Sequence, residues 1–335
     1  MLNYFDLSNC RLCPRDCGVN RLAGERGYCG EGAVIRASRA ALMYYEEPCI
    51  SGFCGSGAVF FCGCSLGCLF CQNYAISSRN KKEEPSFSSQ SIEKGPVRME
   101  LTPEKLADVF LSLQEQKAAN INLVTASHFL PLLIPSLESA RRNGLVIPVV
   151  YNTSSYERPE ALRRLEGLVD IYIPDLKFCD PALSAAYAGA PDYFERAAAA
   201  IREMVRQQPS PLFSDGSHTL DAEDDSDDPM MLRGVIIRHM VMPGHTEDSR
   251  KILRYLYEEY GDSVFLSIMN QYTPMPQVLD SPVGLRHPLL KRTVTEKEYD
   301  EVIDFAISLG ITNGFIQEGG TVSRSFIPAF DGTGL

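Results

Sequence analysis

Short apolar runs alternate with longer amphipathic stretches along most of this chain. Residues 58–61, 121–126, 146–151, 169–174, 235–242 and 264–269 are mostly apolar on both faces of an extended backbone. That is the pattern of strands in a parallel sheet covered by helices. Residues 314–317 read as a further short strand or a closing loop. Between these runs the apolar positions recur at helical spacing. One helix starts at Thr102-Pro103, with Thr as N-cap and Pro at the first helical position. A second covers Tyr193–Gln207 and is rich in alanine. A third covers 247–260, carries Ile252, Leu253 and Leu256 on one face, and stops at Gly261. A last one begins at Thr295, where Glu298 three residues on completes a capping box of about 1 kcal/mol. Alternating strands and helices imply right-handed crossovers and an α/β fold, either a parallel barrel or an open doubly wound sheet. In both, functional residues gather where strands run out into loops at their C-terminal ends.

The chain divides into a Cys-rich amino-terminal segment, residues 1–50, and an α/β core, residues 51–335. An insertion at about 208–231 interrupts the core, and its Pro, Ser and acidic residues predict a solvated loop. The net charge is −11 over 335 residues, and seven negative charges fall within that insertion, which has no Lys or Arg. A net charge of this sign argues against nucleic acid as the default partner, because phosphate binding needs a basic face, and outside the insertion the fold is only mildly acidic. No run reaches the ~18 apolar residues of a membrane span, and the first residues lack the basic and apolar regions of a signal peptide. A cytoplasmic protein is expected. Eleven cysteines, an odd number crowded before residue 72, point to metal binding in a reducing compartment rather than to disulfides.

Cys64, Cys68 and Cys71 form a C-x-x-x-C-x-x-C run directly after the first apolar segment. Structural zinc and electron-carrying clusters take four protein ligands. Three thiolates on a 4Fe–4S cubane would leave one iron open to a substrate or cofactor. Gly63 and Gly67 allow a tight loop, and Phe70 offers a flat apolar surface. Cys62 is the complication, because a fourth thiolate would close the site and leave a zinc knuckle or a closed cluster. Upstream, Cys10, Cys13, Cys17 and Cys29 supply four more soft ligands, suited to tetrahedral zinc or to an auxiliary iron–sulfur site that relays electrons; unmetallated thiols are the third reading. Cys49, Cys54, Cys62 and Cys179 have no partner motif and read as free buried thiols.

The cysteine run, with an aromatic residue before its last cysteine, resembles the radical S-adenosylmethionine superfamily. Three further segments resemble its PflX-type branch, paralogues of the pyruvate formate-lyase activating enzyme. They are Cys10-Arg-Leu-Cys-Pro-Arg-Asp-Cys-Gly-Val-Asn-Arg, Ile121-Asn-Leu-Val-Thr-Ala-Ser-His and Ile236-Ile-Arg-His-Met-Val-Met-Pro-Gly. The resemblance implies a partial (β/α)6 TIM-like barrel, a 4Fe–4S cluster on Cys64, Cys68 and Cys71, and S-adenosylmethionine on the open iron. One-electron cleavage of that cofactor would give a 5′-deoxyadenosyl radical able to abstract hydrogen. By the same resemblance Phe70 contacts adenine, and Thr125, Ser127 and His128 lie where relatives carry a Gly-Gly-Glu segment that receives the cofactor's amino group. Asp175 and Lys177 resemble the Asp-x-Lys segment near the ribose and the methionine carboxylate. Asn152, Thr153, Arg238 and His239 match cofactor-lining positions more loosely, and Gln271-Tyr272 more loosely still. The implied partners are a glycyl radical enzyme or another protein substrate, and a reductant such as flavodoxin or ferredoxin. A non-enzymatic iron–sulfur or zinc protein, for electron transfer or scaffolding, is the competing reading.

Each of these residues also has a plain structural role open to it. Asp175 and Lys177 could form a solvated pair worth about 0–1 kcal/mol. The two histidines could be satisfied core residues, Asn152-Thr153 could start a turn, and Gln271-Tyr272 could be packing.

Overall fold

The computed structural model describes residues 4–77, 95–215, 217, 229–279, 281–317 and 327–335. Ten strands make one sheet: β1 (Ile35–Met43), β2 (Ser56–Phe61), β3 (Met99–Leu101), β4 (Ile121–Val124), β5 (Val149–Thr153), β6 (Ile171–Pro174), β7 (Leu212–Phe213), β8 (Met231–Met240), β9 (Phe265–Met269) and β10 (Gly314–Ile316). Their order is β10-β9-β8-β6-β5-β4-β2-β1-β3, with β7 beside β8. From β2 to β10 every neighbour on that path is parallel. The path ends at β10 on one side and β3 on the other, so the α/β fold is a partial, TIM-like barrel.

Side-chain alternation sorts the sheet's two faces. On one, Val59, Phe61, Leu123, Tyr151, Tyr172, Val235 and Ile237 pack against the helices Pro103–Glu115, Leu130–Arg142, Tyr193–Gln207 and Thr246–Tyr260 in the main core. On the other, Val150, Ile171, Ile173, Ile236 and Phe265 close around Cys49 and Ile50. The connection after β1 thus plugs one end of the interior. Each fully buried side chain of this size contributes roughly 1.5–3 kcal/mol, so both faces are stabilising and the C-terminal mouth is left for chemistry.

Several local expectations change. The strand expected at 146–151 starts only at Val149, since Pro148 has no N–H for a ladder and Val146 is 80% exposed. The helix Leu130–Arg142 gives little signal because Phe129 at its N-cap makes no side-chain cap and Pro135 lies inside it. β1 lies within the Cys-rich stretch, pairs antiparallel with β2, and holds β3 on its far side. The insertion is not wholly a loop: Leu212–Phe213 pairs with the start of β8. Most of its acidic run, Asp221, Glu223, Asp224, Asp225, Asp227 and Asp228, lies outside the described residues. The Thr102 cap and the Thr295–Glu298 capping box are both present.

Candidate active site

β2 is buried at all six positions and delivers the chain to the cysteine loop at its C-terminal end. Gly63 turns that loop with φ +80°, a left-handed conformation open to glycine at no steric cost. Backbone bonds then pin the loop at Gly63 N–H to Ile76 O (2.9 Å), Gly67 N–H to Ala188 O (3.1 Å) and Leu69 N–H to Tyr187 O (2.8 Å). Gln277 Nε2 lies 3.3 Å from the carbonyls of both Leu69 and Cys71. Cys71 is close enough to raise the pKa of Cys64, and Cys71 and Cys64 both raise that of Cys68. Burial is the larger cause, pushing Cys64 up to about 11 and lifting Cys68 and Cys71 as well. Bound metal must therefore displace their protons. Cys71 Sγ also sits 3.3 Å from Ser77 Oγ.

Lys177 acts on all three thiols, favouring their thiolates. It lies beyond β6, where Asp175 bridges to Arg238 of β8. Lys177 Nζ meets Asp175 Oδ2 at 2.5 Å, with the side chains 19% and 21% exposed. Burial alone would lower the lysine's pKa, but Asp175 and then Cys68 outweigh it, so the ammonium is held well above its ordinary range. The turn itself is clamped. Ser155 Oγ donates to Asp175 O at 2.7 Å, and the Tyr193 hydroxyl lies 2.9 Å from the same carbonyl while accepting from Lys177 N–H at 3.1 Å. The pair is thus a fixed feature beside the cysteine loop, not a solvated one.

The other expected contacts sort into two groups. Thr125 follows β4 half-buried, and Asn152 is half-buried on β5. Asn152 alternates with Val150 of the interior cluster and so faces the interior near its mouth. The remaining positions have structural partners. Phe70 is 6% exposed, edge-on to Phe178 at 5.9 Å and tilted against Tyr272 at 6.3 Å. Thr153 Oγ1 bonds Glu157, which also accepts from Tyr151 at 2.8 Å. Arg238 reaches Glu47 Oε1 at 2.8 Å and also pairs with Glu46. His239 has both ring nitrogens engaged at 2.8 Å, by Leu176 O and Ser249 Oγ. Ser127 is buried, and the Tyr272 hydroxyl donates to Leu290 O at 2.6 Å, which makes it packing. His128 sets Nε2 2.6 Å from Cys62 O and lines a cavity on the amino-terminal side.

That cavity is walled by Cys10, Cys13, Cys17 and Cys29 together with Arg21 and His128. Burial pushes the Cys13 thiol up to about 12, with smaller contributions from the other three cysteines. Cys62 is buried and stands 3.3 Å from Ser38 Oγ; its charged neighbours are Arg98, Glu31 and Arg36. Cys49 is buried, as expected, but Cys54 is exposed and Cys179 half-buried, which corrects the reading of all four as buried thiols. Among the described residues no three His, Cys, Asp or Glu side chains stand close enough to share one metal ion. Zinc would require its ligands to converge, at about 2.3 Å from every sulfur. A cubane instead takes each thiolate on its own iron, so separated thiols on one loop fit it. Tyr193, Gln277 and Ser77 carry no spacing signal and escaped the sequence analysis.

Fold and loop together define a class: an α/β partial barrel presenting three clustered thiols at the C-terminal end of its first parallel strand. The family model described as the Radical SAM superfamily matches residues 58–256, and this chain belongs to that superfamily. Membership implies a 4Fe–4S cluster and S-adenosylmethionine. The chain is 25% identical over 299 residues to the uncharacterized protein MJ0674 of Methanocaldococcus jannaschii, covering 89% of this chain and 74% of the relative. Among solved structures it is similar to a domain of pyruvate-formate lyase-activating enzyme from Bacteroides vulgatus, with 14% identity, TM-score 0.38, and coverage of 56% of this chain and 91% of that one. It is also similar to SuiB of Streptococcus suis bound to precursor peptide SuiA, with 10% identity, TM-score 0.45, and coverage of 76% and 46%. No helix among the described residues is long and apolar enough to cross a membrane.

Proposed function

We propose that Cys64, Cys68 and Cys71 each bind a separate iron of the 4Fe–4S cluster and leave the fourth iron to S-adenosylmethionine. The observation that carries this reading is the Lys177 ammonium, fixed by Asp175 and acting on three half-buried thiols of one loop. When bound, cluster and cofactor supply one-electron cleavage of the sulfonium carbon–sulfur bond and a 5′-deoxyadenosyl radical that abstracts hydrogen. The chain's own residues do the rest. Lys177 offsets anionic charge from the cluster and a carboxylate, Asp175 orients Lys177, and Asn152 and Thr125 present polar groups to the cofactor at the mouth. The apolar layer of Ile173, Ile236 and Phe265 beneath keeps water out. Cys62, turned toward Ser38, leaves the three-ligand set open, which favours catalysis over a closed electron carrier. Residues 1–50 carry a metal-binding segment through Cys10, Cys13, Cys17 and Cys29, and through β1 they join the sheet of the core, residues 51–335.

The substrate we propose is a protein or peptide, and the particular reaction is installing a glycyl radical on a partner enzyme, with a low-potential flavodoxin or ferredoxin as donor. The resemblance of the Cys10–Arg21, Ile121–His128 and 236–244 segments to the PflX-type branch supports this choice. Anaerobic reconstitution with iron and sulfide, then reductant and S-adenosylmethionine, tests the first step. 5′-Deoxyadenosine should form, and its absence from fully loaded protein would sink the reading. A glycyl radical signal on a co-purified partner tests the second, and failure on every such enzyme of the same cell removes that assignment alone.

A further inference from the structure

The amino-terminal cysteines are built into the wall of the radical-cluster loop. Arg15, which lies between Cys13 and Cys17, donates Nε–H to Ser65 O at 2.8 Å and Nη1–H to Gly189 O at 2.7 Å, and its guanidinium stacks 3.6 Å above the Tyr28 ring. Ser65 is the residue after Cys64. On the other side, a Cβ at Gly63 would stand 2.6 Å from Cys29 O and 2.5 Å from Glu31 Cγ, so Cys29 packs directly on the residue before Cys64.

His128 makes a third tie. A carbonyl only accepts, so the bond to Cys62 O requires the proton on Nε2, and the lone pair then falls on Nδ1. That nitrogen is buried with no hydrogen-bond partner, on a side chain 2% exposed that lines the four-cysteine cavity. A buried acceptor left this way is unfavourable, and a guest in the cavity would relieve it. Four soft donors and one neutral imidazole around a cavity suit a thiophilic metal, zinc or iron, with the thiol protons released to solvent on binding. A lone zinc would need the thiols to close in from where they stand; a multi-iron centre takes them further apart.

Resting on the proposed function for its second centre, we propose that Cys10, Cys13, Cys17 and Cys29 bind a thiophilic metal whose occupancy sets the shape and the electronic properties of the radical cluster, through Arg15, Cys29 and His128. Arg15 and His128 are positioning residues in this scheme.

The first measurement counts metal and sulfide in anaerobic protein carrying Cys64→Ala, Cys68→Ala and Cys71→Ala. One zinc per chain, or several irons with matching sulfide, is expected, and the sulfide count separates the two sources. No metal overturns the proposal. The second measurement keeps the loop cysteines and reads the EPR line shape and midpoint potential of the loop cluster. Cys13→Ser with Cys17→Ser, and separately Arg15→Ala, should shift both readings while loop iron is retained. Arg15→Ala keeps every cysteine and carries the test should the double variant misfold. His128→Asn, which preserves a donor for Cys62 O, should perturb the signal less than His128→Phe. Signals that ignore all these changes overturn the coupling alone. A wild-type loop that takes up no cluster sinks the proposed function and the coupling together.

Discussion

Two ion-paired groups face the barrel interior from neighbouring strands, and they are built to opposite ends. Arg238 on β8 is held by Glu47 and Glu46, with Asn122 Nδ2 donating to Glu46 at 3.0 Å. Its planar fork is taken up by two carboxylates, and all three side chains are at most 16% exposed. Asp175 and Lys177 beyond β6 are more open, and of the lysine's three N–H donors Asp175 takes one. The remaining charge falls on the cysteine loop. A saturated buried group braces the fold; a half-satisfied one beside reactive thiols is available to a ligand.

The sharpest break in that comparison removes what the open pair serves. Cys68→Ala should abolish 5′-deoxyadenosine formation and the iron-dependent absorption of the loop cluster, while the thermal unfolding of the metal-free chain changes little. Arg238→Met attacks the closed group. It strands two buried carboxylates, and equilibrium unfolding should register a loss of about 3–5 kcal/mol. Lys177→Met should do the reverse: modest loss of stability but a fall of about 10²-fold in the rate of cofactor cleavage, the scale for removing one preorganised charge donor. Equal damage to stability from Lys177→Met and Arg238→Met would erase the distinction.

A smaller effect belongs to Glu157 under β5. Burial pushes its carboxyl up to about 7 from an ordinary 4.5, against the hydrogen bonds from Thr153 and Tyr151. The folded chain therefore holds a proton that the unfolded chain releases between these values. Stability from this group is complete below pH 4.5 and declines as pH rises toward 7, by at most about 1.4 kcal/mol per pH unit. In Glu157→Gln, urea unfolding between pH 5 and 7 should show a flatter slope. The smallest effect is expected of Cys62→Ser, which keeps the bond toward Ser38 and should leave cluster and cofactor cleavage intact; loss of the cluster would instead restore the four-thiolate reading.

The alternation of strand and helix was legible because β2, β4, β6, β8 and β9 carry apolar residues on both faces, which marks strands covered on both sides. β1 was not, since a strand that pairs antiparallel at the rim has no signal in the parallel pattern. The cysteine loop declared itself by spacing, and Asp175 with Lys177 by a short segment after a strand. Tyr193 and Gln277 could not be found that way: they reach their partners from 16 and more than 200 residues away. Arg238 and His239 show the limit of position alone. Adjacent on one strand, they face opposite sides of the sheet, and whether a polar side chain is free for a ligand depends on partners such as Glu46 and Ser249, which only the folded chain brings near.

Gly63 has a practical consequence for anyone exchanging parts between relatives. Its missing side chain leaves no space for even a methyl group between Cys29 and the loop, so the first thirty or so residues and the loop fit each other as lock and bolt. A chimera that imports one without the other should show a misfit at residue 63 first, whatever metal either half prefers.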